Sequence, residues 1–132
     1  MSKRSEEARR LFIEDRFHCS QAVFAVFPEY IEPNLALKIT SCFGGGMRKG
    51  EVCGAVTGSL MLLGIVFGYS DKDDLENKKL SNKIASDFMD LFKEKYNSYL
   101  CRDLIIYGRE TCGNYVKFAV EAVEEIIEKY KG

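Results

Sequence analysis

No Cys-x-x-Cys occurs anywhere in this chain, which removes the thioredoxin-type motif, the zinc ribbon and the ferredoxin run, and no Cys-x-x-Cys-His is present for covalent haem. Histidine is nearly absent as well. His18 stands alone, so a His-rich metal site or a Ser-His-Asp site needing a second imidazole is excluded. Tryptophan is missing, and 9 Phe and 7 Tyr supply the aromatic bulk instead. Neither sign of charge is in excess: 19 basic against 20 acidic side chains give a formal charge of -1. No global field therefore draws in nucleic acid or an anionic membrane, and neither is expected as a partner. No apolar run reaches the ~20 residues that a bilayer crossing needs. The opening Met1-Ser2-Lys3-Arg4-Ser5-Glu6-Glu7 leads into mixed charge rather than an apolar stretch, so the reading predicts no secretory signal and a cytoplasmic address.

What is present describes an ordinary folded chain. Its 132 residues suit a single domain with a substantial core, and 46% hydrophobic with 30% charged residues is a globular balance. Strand signals are weak while apolar spacings of three and four recur. The expectation is an all-α, compact bundle of about six to seven helices around a central apolar, Gly-rich helix.

A first helix is predicted over residues 5–15 with Ala8, Leu11 and Phe12 inward, and a second from Cys19 with Ala22, Val23, Val26, Phe27 and Tyr30 on one face. Pro28 and Pro33 end it, and Pro33 opens a third helix whose Leu35, Ala36, Ile39, Cys42 and Phe43 share a side. That placement predicts a core role for Cys42, with a resolving thiol as the alternative. Residues 53–68 carry no charge and are apolar on all sides, which puts this helix at the centre. Gly54 and Gly58 share one of its faces, as do Ala55 and Ser59, allowing a neighbouring backbone to approach. A long helix to about residue 96 follows, with Leu80, Ile84, Phe88, Leu91 and Phe92 as its stripe. A short one is expected over 101–107, stopped by Gly108. The last, over 112–131, turns Tyr115, Val116, Ala119, Val120, Val123, Ile126 and Ile127 inward and Glu121, Glu124, Glu125 and Glu128 outward as a solvated face.

The chemistry-bearing residues are cysteines. Cys19, Cys53, Cys101 and Cys112 each fall where a helix is expected to begin, and a helix start offers unpaired N–H donors that favour thiolate over thiol. They are distant in sequence and can meet only through the fold. Five cysteines are too few for a disulfide scaffold, and an odd number rules out complete internal pairing. Arg16 and His18 precede Cys19, Arg48 and Lys49 precede Cys53, Arg102 follows Cys101 and Arg109 precedes Cys112, while Glu51, Asp103 and Glu110 oppose this positive charge. The run Gly45 to Gly50 has P-loop-like spacing, but Glu51-Val52 stands where Lys and Ser or Thr are needed, so nucleotide hydrolysis is not expected. A tight turn is the favoured reading of that loop, with anion binding by its backbone N–H groups as the alternative.

These segments also carry a resemblance. His18-Cys19-Ser20-Gln21-Ala22-Val23, Phe43-Gly44-Gly45-Gly46-Met47, Cys53-Gly54-Ala55-Val56-Thr57-Gly58, Cys101-Arg102-Asp103-Leu104 and Cys112 resemble, in that order, the CGAxxG four-cysteine (C_GCAxxG_C_C) family of redox-active proteins, over about residues 17–125. The resemblance implies that Cys19, Cys53, Cys101 and Cys112 are the family's defining cysteines. His18 stands where Asn is expected, and Cys42 is an additional thiol.

Two functions follow as expectations. In the first, the clustered cysteines perform thiol/disulfide or electron-transfer chemistry on a redox partner or small molecule. Cys53 is the expected attacking group there, because Gly54 after it permits a substrate to approach. In the second, Cys19, Cys53, Cys101 and Cys112 form a metal-binding module holding zinc or an iron–sulfur cluster. A purely structural interaction domain is the third reading, and a helix face is available for a homodimer.

Overall fold

The computed structural model describes residues 2–131. The chain is all-α: α1 (Lys3–Ile13), α2 (Cys19–Phe24), α3 (Pro33–Ile39), α4 (Gly54–Phe67), α5 (Leu75–Tyr96), α6 (Cys101–Leu104) and α7 (Arg109–Lys131). A wide turn over Gly46–Gly50 precedes α4, and a 3-10 turn over Ile105–Tyr107 continues α6. Among the described residues, extended pairing is confined to one isolated antiparallel bridge between Val52 and Leu100. No helix among them is long and apolar enough to cross a membrane.

Helix α1 starts earlier than apolar spacing predicts because Ser2 caps it: its hydroxyl accepts the Ser5 N–H at 3.0 Å, and the Ser5 hydroxyl accepts the Ser2 N–H at 3.1 Å. Ala8 and Phe12 are buried against α7. The Glu residues expected to face water on α7 are divided by this contact. Glu121 accepts from the Ser5 hydroxyl at 2.6 Å and Glu124 from the Ser2 hydroxyl at 2.7 Å, whereas Glu125 and Glu128 are exposed.

Helix α2 is shorter than its apolar pattern. Pro28 disfavours helical geometry at the residue before it, so the helix stops at Phe24 and Val26 and Phe27 enter the core from a turn. The seven residues of α3 touch chiefly α2, through the buried Ala36. Leu35 and Ile39 stay 51% and 45% exposed, and Cys42 beyond them is exposed. The expected core role for Cys42 is therefore corrected: the stripe that Leu35, Ile39 and Cys42 form has no helix to face. Cys42→Ser is expected to change stability by no more than about 0.5 kcal/mol and to leave the other four thiols reacting as before, measured by thermal melting and thiol titration.

Helix α4 is central, packing against α2, α5 and α7. Ala55, Val56, Ser59, Leu62, Leu63 and Phe67 are buried, while Ile65 reaches the surface. Its glycines admit α2: a Cβ on Gly58 would stand 2.7 Å from the Ser20 carbonyl oxygen. Ser20 is buried and its hydroxyl donates to the Thr40 carbonyl at 2.9 Å, which ties the start of α2 to the end of α3. Helix α5 buries Ile84, Phe88 and Phe92, whereas Leu91, expected on the same stripe, is 40% exposed. Edge-to-face rings brace α5 on α7, the Tyr96 and Tyr115 centroids lying 4.6 Å apart and those of Tyr96 and Phe118 5.4 Å apart.

Candidate functional site

Four helix starts converge on one end of α4. Cys53 is the N-cap of α4, Cys19 the first residue of α2 and Cys101 the first residue of α6. Cys112 lies in the first turn of α7, which opens at Arg109 rather than at the cysteine itself. Two backbone devices draw them together. The bridge between Val52 and Leu100 pairs the two segments, so that the Cys53 N–H donates to the Tyr99 carbonyl at 2.8 Å and the Cys101 N–H to the Glu51 carbonyl at 2.6 Å. On the other side, Gly54 lets α2 come so close that any Cβ there would run into the Cys19 sulfur and lie 2.9 Å from the Ser20 nitrogen. Cys19, Cys53, Cys101 and Cys112 thereby line a single cavity of about 360 Å³. Cys42 is not among its walls.

The loop before α4 contributes unusual backbone. Gly45, Gly46, Met47 and Arg48 all have positive φ, at 62°, 60°, 57° and 63°, forming a left-handed turn. L-residues resist this conformation by roughly 1–2 kcal/mol each, so Met47 and Arg48 are held there by their surroundings. The turn sends the Gly45 amide toward the Cys19 sulfur. Of the loop amides that the sequence offered to an anion, that of Gly45 faces the Cys19 sulfur.

The thiols are unequal. Cys19 is pulled down to about 7, first because the Cys53 thiol donates a hydrogen bond to it and then because the amides of Gly45, Ser20 and Gly54 surround it; burial opposes them. Cys53 is pushed well above the ordinary range, since it gives its proton to that hydrogen bond, is buried, and sits beside negative charge. Burial and the Cys19 charge also raise Cys101, with Arg48 opposing. Cys112 is pushed up to about 11 by burial, then by Cys19 and Cys101, with Arg109 opposing. Within the pair, Cys19 is thus the thiol that loses its proton more readily and Cys53 the one that keeps it. The space left by Gly54, expected to admit a substrate to Cys53, is filled by the Cys19 sulfur.

Leu104, Phe12 and Tyr115 give the cavity an apolar side, and the Tyr115 hydroxyl donates to the Leu104 carbonyl at 3.1 Å. Arg109 lies over the Phe12 ring at 4.3 Å and donates to the Phe12 carbonyl. The ring of His18 borders the cavity and packs on Gly44, where a Cβ would collide with it. Among the described residues, no three His, Cys, Asp or Glu side chains are grouped so as to hold a metal ion. The four sulfurs share a cavity without forming such a group.

The family described as "Putative redox-active protein (C_GCAxxG_C_C)" matches residues 17–126, which contain all four cavity cysteines. No curated protein and no solved structure matches the chain.

Proposed function

We propose, from the premise that this chain belongs to the C_GCAxxG_C_C family, that it carries out thiol–disulfide exchange with Cys19 as the attacking thiolate and Cys53 as the resolving thiol. The observation that carries this reading is that Cys19 and Cys53 meet at the start of α4, where a Cβ on Gly54 would touch the Cys19 sulfur, inside a cavity that Cys101 and Cys112 also line. Only a thiolate attacks a disulfide, and the best attacking thiol has a pKa near the ambient pH.

In the first step the Cys19 sulfur forms a bond to one sulfur of a substrate disulfide, and the other substrate sulfur departs with the electron pair as a thiolate. The hydrogen bond from Cys53 then has no anionic acceptor, and the Cys53 proton passes to the departing thiolate. In the second step the Cys53 thiolate attacks the Cys19 sulfur, the second substrate sulfur leaves as a thiolate that takes its proton from water, and a Cys19–Cys53 disulfide remains. Two thiols lose two electrons and one disulfide gains them. Cys101 and Cys112 line the same cavity, and in this reading one of them attacks that bond as a thiolate and the two become the oxidised pair. A reducing compartment such as the cytoplasm keeps all four available.

Mass spectrometry after a brief pulse of a small disulfide tests this. The wild-type protein is expected to show an internal Cys19–Cys53 bond and almost no adduct, and Cys53→Ser a stable mixed disulfide on Cys19. Cys19→Ser should show no fast reaction. A pulse that labels Cys101 or Cys112 first would overturn the assignment. So would stoichiometric zinc or an iron–sulfur chromophore in anaerobically purified protein whose thiols resist alkylation, since that outcome selects the metal-binding module.

A further inference from the structure

We infer that the cavity takes a small disulfide bearing negative charge, which Arg16, Arg48 and Arg109 hold while Cys19 attacks it; the inference rests on the thiol-exchange reading above. The chain is close to neutral, yet the charged side chains that line the cavity besides cysteine are these three arginines, with His18 beside them and no Asp or Glu.

The acidic residues next to the cysteines in sequence are all turned to other partners. Glu51 pairs with Arg102 at 3.2 Å, Asp103 accepts from the Ser98 hydroxyl at 2.8 Å, and Glu110 pairs with Arg9 at 2.7 Å. Among the described residues, no carboxylate lies within ion-pair distance of Arg16, Arg48 or Arg109. Three guanidiniums around one cleft, none paired with a carboxylate of the described residues, leave N–H groups for a carboxylate from outside.

Backbone conformation adds an independent observation. Arg16 and Arg48 have φ of 62° and 63°, and they are two of only four non-glycine residues with positive φ among those described. Glycine adopts this region without the cost that a Cβ brings. Arginine at both positions, each on the cavity wall, places charge where backbone ease alone would favour glycine. The Arg48 side chain folds back over its own turn, so that a Cβ on Gly45 would lie 3.0 Å from Nη1. Gly45 is the residue whose amide faces the Cys19 sulfur. Arg109 is steadied by the Phe12 ring and carbonyl and keeps its remaining N–H groups.

Size and lining fit a low-molecular-weight compound. About 360 Å³ falls at the lower end of small-ligand clefts, and Phe12, Leu104 and Tyr115 offer an apolar wall for its carbon chain. As Cys19 bonds to one substrate sulfur, the other leaves as a thiolate, and this new negative charge develops among the same guanidiniums. After Cys53 displaces the second substrate sulfur, the chain holds the Cys19–Cys53 disulfide and the substrate has become two anionic thiols.

The test compares three small disulfides of similar length: dithiodipropionate with two carboxylates, hydroxyethyl disulfide with no charge, and cystamine with two ammonium groups. Each rate of Cys19–Cys53 oxidation at pH 8.5 and low salt is divided by the rate of the same compound with a free thiol. Dithiodipropionate is expected to exceed hydroxyethyl disulfide by about tenfold or more, with cystamine last, because a cleft lined by one sign of charge concentrates the opposite ion. Added salt should shrink the ratio, and Arg16→Gln with Arg48→Gln should bring it near unity. A fast Cys19 reaction with no preference for the anion overturns this inference and leaves thiol exchange standing, as does a preference that survives both salt and the double variant. No fast Cys19 reaction with any of the three overturns the exchange reading as well. The salt series on the wild-type protein decides the matter should the double variant fail to fold.

Discussion

Alkylation of the reduced protein with a neutral reagent is expected to find one fast thiol, Cys19, whose rate rises with pH to a midpoint of about 7 and then levels. An ordinary cysteine, titrating near about 8.5, is only roughly 3% ionised at pH 7. Cys19 would be about half ionised there, a gain of roughly fifteenfold in reactive species, which its lower basicity partly offsets. Cys53→Ala, which removes the hydrogen-bond donor, should move the midpoint up toward the ordinary value and slow the reaction near neutrality by several-fold. Cys53→Ser retains an O–H donor and a good N-cap for α4, so its midpoint should stay close to that of the wild type. Equal midpoints for the alanine and serine variants would remove the Cys53 thiol as the cause. Peptide mapping that finds Cys101 or Cys112 labelled first would contradict the charge distribution altogether.

The same titration is linked to stability, and its sign can be worked through. The folded value of Cys19 lies below the ordinary one, so the stability it contributes is complete above about pH 8.5 and is lost as pH falls through about 7. Cys112 acts in the opposite direction. Raised to about 11, it contributes below its ordinary value, and that contribution disappears as pH climbs through 11. Between pH 6.5 and 8.5 only Cys19 changes charge within the pair. The melting temperature of the wild-type protein relative to Cys19→Ser is therefore expected to rise across that interval.

Much of this arrangement could be read from the chain because its parts obey local rules. The uncharged run that became α4, the buried apolar stripe of α7 and the proline that opens α3 each follow from periodicity or capping without knowledge of neighbours. The common placement of Cys19, Cys53 and Cys101 at helix starts was legible for the same reason, and with it the possibility of a shared cavity. What could not be read depends on contacts between distant segments. The left-handed turn from Gly45 to Arg48 is signalled only at its glycines, because Met and Arg carry no preference for positive φ. The proposed division of labour between Cys19 and Cys53 rests on the position of one sulfur relative to the other, which sequence does not contain. Cys42 went astray because helical spacing says which residues share a face and is silent on whether another helix covers that face. The pairing of Glu51, Asp103 and Glu110 with partners away from the cavity is also a tertiary fact, and it turns a locally mixed charge pattern into a cationic site.

Gly54 joins the fold to the chemistry, and the same substitution at two glycines of α4 separates the two roles. Gly64→Ala adds a methyl group where nothing lies within 4 Å, so it should stabilise the protein by about 0.5–1 kcal/mol through the backbone entropy that glycine loses on folding. Gly54→Ala, at the first position of the helix, has at most that propensity gain, and its Cβ meets the Cys19 sulfur and the Ser20 nitrogen, the latter being backbone that cannot rotate away. Overpacking of this kind costs about 1–3 kcal/mol, enough to outweigh the propensity gain and lower the melting temperature. Relief requires α2 to withdraw from α4, and withdrawal carries Cys19 away from the Cys53 thiol and from the amide of residue 54. The alkylation midpoint of Cys19 should then rise in Gly54→Ala and remain near 7 in Gly64→Ala. A Gly54→Ala protein that melts lower yet keeps a midpoint of about 7 would mean that the close approach of the two helices serves packing alone, and that the low pKa of Cys19 has a source other than its contact with the start of α4.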